Sequence, residues 1–120
     1  MDYLYLKYFD YKTNKKYVIG ALYKKQNKYY FKLVKNFLKK VEKIDFPINM
    51  FPFYDENKIY ESEELFAIFK IRLPDINKYT NEELNSLLKE YNLENYDEFE
   101  FLKVTKGKLR LDNFILEGEE

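Results

Sequence analysis

The chain contains no cysteine, no histidine and no tryptophan, and only three glycines and three prolines in 120 residues. Each absence excludes something. Without cysteine there is no disulfide, which fits a reducing compartment. Without cysteine and histidine there is no common structural zinc centre, no thiol or imidazole nucleophile and no Ser-His-Asp triad. Gly20, Gly107 and Gly118 stand too far apart for a glycine-rich phosphate loop, so no nucleotide or other cofactor is expected. The longest apolar runs fall far short of the ~20 residues of a membrane span. Met1-Asp2-Tyr3 opens no basic targeting segment. The expectation is a cytoplasmic protein with no membrane partner.

What is present is aromatic and charged. Thirteen tyrosines and eleven phenylalanines accompany only two alanines, Ala21 and Ala67. Each ring buries roughly 150–250 Å², so a few suffice to hold a small core. The bias toward Lys, Asn, Ile, Tyr and Phe is also that of AT-rich codons. Net charge is zero but unevenly spread. Residues 1–60 carry 13 lysines and 6 acids, and residues 61–120 carry 8 basic and 15 acidic side chains, leaving the halves at +7 and −7. Such a split marks either opposed contact faces or halves that neutralise each other.

Aromatic-rich runs at 3–9, 17–24 and 28–34 read as strands, separated by turns at Asp10 to Lys16 and at Gln26-Asn27. Their spacing predicts an antiparallel meander. Gly20 inside the second run predicts a bulge or a close backbone approach. Phe37, Leu38, Val41 and Ile44 fall on one face of a helix over 36–44, and residues 47–60, framed by Pro47 and Pro52, read as irregular. Ser62-Glu63-Glu64 has the form of a helix start, for a helix running to about Arg72 before Pro74. Thr80 to Glu83 is a capping box for a helix with Leu84, Leu87, Leu88 and Tyr91 on one face and Asn92 as its C-cap. Asn95 to Glu98 repeats that spacing before a helix ended by Gly107, and 109–116 alternates as a closing strand. The fold class is α+β: a small antiparallel sheet of three N-terminal strands and a C-terminal one, with three to four short helices. The whole is one domain over 1–116 with a frayed acidic tail at 117–120.

No residue cluster carries catalysis. Asp55-Glu56, Glu63-Glu64 and Glu82-Glu83 are adjacent acids, without the cross-cleft separation that a glycosidase pair needs. Two of these pairs sit in helix first turns, where the dipole favours them. Asp10 to Asn14 and Asp55 to Asn57 are too sparse for a calcium loop. No catalytic, metal or cofactor residues are therefore expected, and the protein is expected not to be an enzyme. The strongest raw signal is an interleave of cations and rings at Lys15, Lys16, Tyr17, Tyr23, Lys24, Lys25, Lys28, Tyr29, Tyr30 and Lys32, of which Lys15, Lys16, Lys24, Lys25, Lys28, Tyr30 and Lys32 form the candidate site. Lysines track a phosphate backbone and exposed rings stack bases, so these residues are candidates for single-stranded nucleic-acid binding. Period-2 alternation offers the other reading: half the rings fill the core and the lysines cover solvent-facing edges.

Met50-Phe51-Pro52-Phe53, Tyr60-Glu61-Ser62-Glu63-Glu64-Leu65-Phe66, Phe69 and Leu73-Pro74-Asp75 resemble a short signature in the N-terminal subdomain of HipA-type kinases. Tyr96 to Leu102 resembles the next helix of that family. Tyr60 to Phe66 and Gly107 to Phe114 are similar to a module found upstream of bacterial HIRAN domains. The chain departs from the family in having Ile76 after Asp75, where a glycine is usual, and the kinase body is not part of the 120 residues. What the resemblance implies is a stand-alone, HipS-like module of a toxin–antitoxin system, which binds a kinase-type toxin and restrains it.

The leading expectation is a non-enzymatic protein-binding module acting as antitoxin or inhibitor. Its contact surface is expected over Phe51 to Phe69, with Phe53, Tyr54, Tyr60 and Phe69 as anchors, since aromatic residues dominate interface hot spots. Core filling is the competing role for each. Two alternatives stand beside it. One is nucleic-acid binding by the basic aromatic sheet. The other is a phage-encoded, anti-CRISPR-like inhibitor of a bacterial defence nuclease, with the acids of Glu94 to Glu100 and Glu117 to Glu120 filling a nucleic-acid groove.

Overall fold

Alternation of apolar and half-exposed residues builds a five-stranded antiparallel sheet in this computed structural model, which describes residues 2–110 and 112–118. The strands are β1 (Tyr3–Asp10), β2 (Lys15–Lys25), β3 (Lys28–Leu33), β4 (Ile59–Ser62) and β5 (Phe114–Gly118). Their order is β4-β3-β2-β1-β5. The first three form the expected meander. The helices are α1 (Phe37–Val41), α2 (Ala67–Lys70), α3 (Asn81–Glu90) and α4 (Glu98–Thr105), with a 3-10 turn at Ile76–Lys78. The fold is α+β.

Scarce glycine shapes the turns. Asn14, Gln26, Asn27, Asn36, Asn92 and Lys106 hold positive φ, which glycine would ordinarily occupy. Asparagine tolerates that region best among the others. Gln26 and Asn27, both left-handed, close the two-residue β2–β3 hairpin with the twist that flanking strands require. In the β1–β2 turn the buried Asp10 carboxylate accepts from the Thr13 N–H at 3.1 Å and the Thr13 hydroxyl at 2.7 Å.

Gly20 confirms both readings made of it. The β1–β2 register slips between Leu6 and Lys7, with Leu6 opposite Gly20 and Lys7 opposite Val18, so that Ile19 is the extra residue of a bulge. A Cβ on Gly20 would lie 2.5 Å from the Phe31 ring and 2.6 Å from the Lys32 carbonyl oxygen.

The core lies on one face of the sheet. Leu4, Leu6, Leu22, Phe31, Leu33 and Leu116 point into it, and Phe37, Phe46, Phe51, Phe53 and Phe69 cover them from the helices and loops. Phe31 stacks on Phe53 with centroids 4.3 Å apart and meets Phe69 at 5.5 Å. The 46–53 loop is thus irregular in backbone but carries three core phenylalanines. The Tyr8 hydroxyl anchors its start by donating to the Asp45 carbonyl at 2.7 Å.

Several boundaries differ from expectation. Ser62 is no helix cap: it sits opposite Tyr29 at the end of β4, and the helix after it shrinks to α2. Ile59 and Tyr60 therefore belong to a strand rather than to an irregular stretch. The 36–44 helix shrinks to α1, because the chain turns after Val41 to drop Phe46 into the core. The Thr80–Glu83 capping box is present on both sides, with Asn92 left-handed just beyond α3. The second box is replaced by Asp97, whose carboxylate accepts from the Glu100 N–H at 2.9 Å. The closing strand begins at Phe114, not at 109, and Leu111 lies outside the described residues. Glu117 and Gly118 are not frayed. They complete β5 opposite Tyr5 and Leu4, while Glu119 and Glu120 lie outside the described residues.

Candidate protein-docking face

Strand residues point alternately to the two sides of a sheet. With Leu4, Leu6, Leu22 and Phe31 in the core, the intervening Tyr3, Tyr5, Ala21, Tyr23 and Tyr30 stand on the opposite face, each half-exposed. Three of the tyrosines form a row across β1, β2 and β3. Tyr3 meets Tyr23 edge-on at 5.3 Å, and Tyr23 stacks on Tyr30 at 5.1 Å with planes 11° apart. Burial first, then the neighbouring Tyr3 and Tyr30 oxygens, push the Tyr23 phenol above its usual range. It stays neutral at physiological pH, able to donate and accept.

Ala21, the smallest side chain on this face, sits opposite Tyr5 and Lys32. The result is a groove of about 530 Å³ over Ala21, walled by the tyrosine row, Ile59 and Val34. Its lining comes from strand residues and Val34, with none from the helices. Among the described residues, the charged side chains lining the groove are Lys25 and Lys32.

Most other sheet lysines are engaged with acids. Lys28 holds Glu61 at 3.0 Å, and Lys24, on the helical side, lies 3.6 Å from Asp97. Glu117 gathers Lys7 at 3.2 Å, Lys16 at 3.3 Å and Lys106 at 3.6 Å. The basic first half and the acidic second half thus neutralise each other across the fold. Burial raises the Glu117 carboxyl, but hydrogen bonds from Lys7 and Lys16 and their charge outweigh it and hold the group below the usual carboxylate range. Its contribution to stability is complete above the unfolded carboxyl pKa of about 4.3 and is lost as pH falls through the lower folded value. Glu117→Gln is expected to cost on the order of 1 kcal/mol at neutral pH, because these pairs are partly exposed. Urea melts should show the difference from the parent shrinking toward about pH 3. Equal midpoints at neutral pH would contradict it.

The four expected anchors do not form one surface. Phe53 is 3% exposed and Phe69 0% exposed, so both are core residues rather than contact residues. Tyr60 is half-buried, edge-on to Phe53 at 4.8 Å, and its hydroxyl accepts from the Tyr54 and Asp55 N–H groups at 3.2 and 3.0 Å. It fixes the loop. Only Tyr54 stands fully exposed. The nucleic-acid set divides as well. Lys16, Lys25, Lys28, Tyr30 and Lys32 share the open face, Lys24 faces the helices, and Lys15 sits at the strand end opposite Asp10. The acids proposed to fill a nucleic-acid groove are partly committed: Glu117 to three lysines, Asp97 to the α4 cap and Lys24.

A second depression, about 440 Å³, lies by the exposed Met50 and Ile71 over Phe51 and Phe114. The Arg72–Asp112 pair lines it. Among the described residues no three potential metal ligands of the His, Cys, Asp or Glu type gather. Among the described residues no helix is long and apolar enough to cross a membrane.

Sequence reading singled out Tyr23 and Tyr30 but missed Tyr3, Tyr5 and Ala21. Their alternation with Leu4, Leu6 and Leu22 was the available signal, but rings and aliphatics occupy both faces and hide the contrast. Compared with protein-family models, with curated proteins and with solved structures, the chain matches none.

Proposed function

We propose that the chain is a non-enzymatic protein-binding module that restrains a partner as an inhibitor or antitoxin. The observation that carries this reading is the open sheet face: a row of contacting tyrosines beside an apolar groove that none of the described helices lines. Tyrosine offers large contact area, a polar tip and few rotamers to freeze, which is why it concentrates in interface hot spots. The contact surface is therefore this face rather than the Phe51 to Phe69 segment.

The test is recovery of partners by the tagged protein from nuclease-treated lysate, beside a Tyr23→Ser, Tyr30→Ser variant whose far-UV spectrum is unchanged. The expected result is a kinase-type toxin or a nuclease held by the parent and lost from the variant. Purified parent protein should then depress that partner's activity. Capture that survives both substitutions, or a partner whose activity is unaffected, would refute the reading.

Nucleic-acid binding is a second reading, favoured by the placement of Lys16, Lys25, Lys28 and Lys32 on the face that carries Tyr30. Under it, a labelled single-stranded oligonucleotide binds at low salt and is released steeply as salt rises. No anisotropy change at low salt would exclude it.

A further inference from the structure

The groove over Ala21 has a charge pattern that specifies its ligand. Lys7, Lys16, Lys24 and Lys28 each lie within ion-pair distance of a carboxylate. Lys25 and Lys32, which line the groove, have none among the described residues. Lys32 donates instead to the neutral Glu56 carbonyl oxygen. Among the described residues no acid lines the groove. An apolar, tyrosine-walled channel thus carries two cations that no described carboxylate neutralises, beside sheet lysines most of which are paired.

The positions of these cations set a spacing. Lys25 is opposite Lys28 in the ladder, and Lys28 is four residues from Lys32 along β3. At about 3.3 Å per residue the two positions stand roughly 13 Å apart along the strand direction. Ala21 is level with Lys32, so the depression lies at that end, and the stacked Tyr23 and Tyr30 stand midway between the two charges. In an extended ligand, residues i and i+4 span the same distance on one face, with residue i+2 between them.

We infer that the groove over Ala21 takes an extended, acidic segment of a partner protein, with an acid, an apolar residue and an acid at alternate positions. This rests on the protein-binding reading and adds its specificity. The middle, apolar side chain packs on the Tyr23–Tyr30 pair, and the segment continues over Ala21 toward Ile59. The two carboxylates meet Lys25 and Lys32. Opposite charge across a contact fixes register and rejects basic competitors.

The test is selection of a random dodecapeptide display library on the immobilised full chain. Enriched peptides are expected to carry acids flanking an apolar residue. Synthetic versions should bind roughly tenfold more weakly to Lys25→Glu, Lys32→Glu than to the parent. Selection on that variant should enrich bases in place of acids. Ala21→Tyr, which fills the depression without adding charge, should abolish binding. Should Ala21→Tyr fail to fold, the surface lysine pair still decides the matter. Enrichment of apolar peptides without acids, or acidic peptides indifferent to the lysine reversal, would overturn this inference while leaving the protein-binding reading intact. No enrichment on the parent would overturn both. A single-stranded oligonucleotide or a second copy of the chain, bound by the parent and released by Ala21→Tyr, would assign the groove to that occupant and overturn the inference.

Discussion

Gly20→Ala is expected to destabilise the protein by about 3 kcal/mol, although adding one methyl to a strand glycine ordinarily helps. The ordinary gain, about 0.4–1 kcal/mol, comes from a less free unfolded chain. Here the new carbon would meet the Phe31 ring at 2.5 Å and the Lys32 carbonyl at 2.6 Å. Neither can yield at little cost. Phe31 is fully buried, stacked on Phe53 at 4.3 Å and against Phe69 at 5.5 Å. The Lys32 carbonyl belongs to the β2–β3 ladder, one position from the bulge. Overpacking at such a site costs about 1–3 kcal/mol and more when backbone must move. Against a typical total of about 5–15 kcal/mol, that is a large share. Urea unfolding should show a lower midpoint with an unchanged slope. A midpoint equal to the parent's would mean that the Phe31 cluster is looser than its geometry implies.

Gly20 also illustrates what was legible in the sequence. A glycine interrupting an apolar run carries a mechanism, so the bulge could be read directly. The meander, the Thr80 capping box and the left-handed Asn92 were legible for the same reason: each rests on local chemistry within a few residues. The errors fall where tertiary contacts override local preference. Ser62 has the form of a helix cap, yet its segment is recruited by β3. Phe53 and Phe69 have the composition of interface anchors, but only the folded chain shows that they stack around Phe31. The open face was half legible. Its lysines, Tyr23 and Tyr30 were singled out, but not the side of the sheet on which each lies. That assignment depends on the bulge at Ile19, which shifts the alternation of β2 between its two ends.

The contact furthest from sequence reading joins Arg72 to Asp112, and breaking it is the second large effect expected. Arg72, 7% exposed, is one of two buried polar residues among those described, with Asp10. Its guanidinium is bidentate to the Asp112 carboxylate at 2.7 and 3.1 Å. It also donates to the Ile68 carbonyl at 3.0 Å and the Gly107 carbonyl at 2.9 Å, and it lies over the Phe114 ring at 5.7 Å. One side chain thereby ties the end of α2 to the turn after α4 and to the start of β5. Asp112 in turn accepts from the Phe114 N–H at 3.1 Å, setting the point where that strand begins. Removing one partner of a buried pair leaves the other desolvated and unmatched, at a cost of about 3–5 kcal/mol. Asp112→Ala strands a buried cation and falls in that range, toward its lower end because Asp112 is partly exposed. Arg72→Met leaves the carboxylate near water, but it orphans the Gly107 carbonyl and loses the tie to α2, for a comparable loss. The double variant removes both charges together. It is expected to be more stable than the sum of the single effects allows, by about 1–3 kcal/mol of coupling. A double-mutant cycle read from urea midpoints measures that term directly. Strict additivity would mean that the two groups stabilise the fold independently, Arg72 through its carbonyl contacts and Asp112 through the cap on β5, and that their short contact contributes nothing.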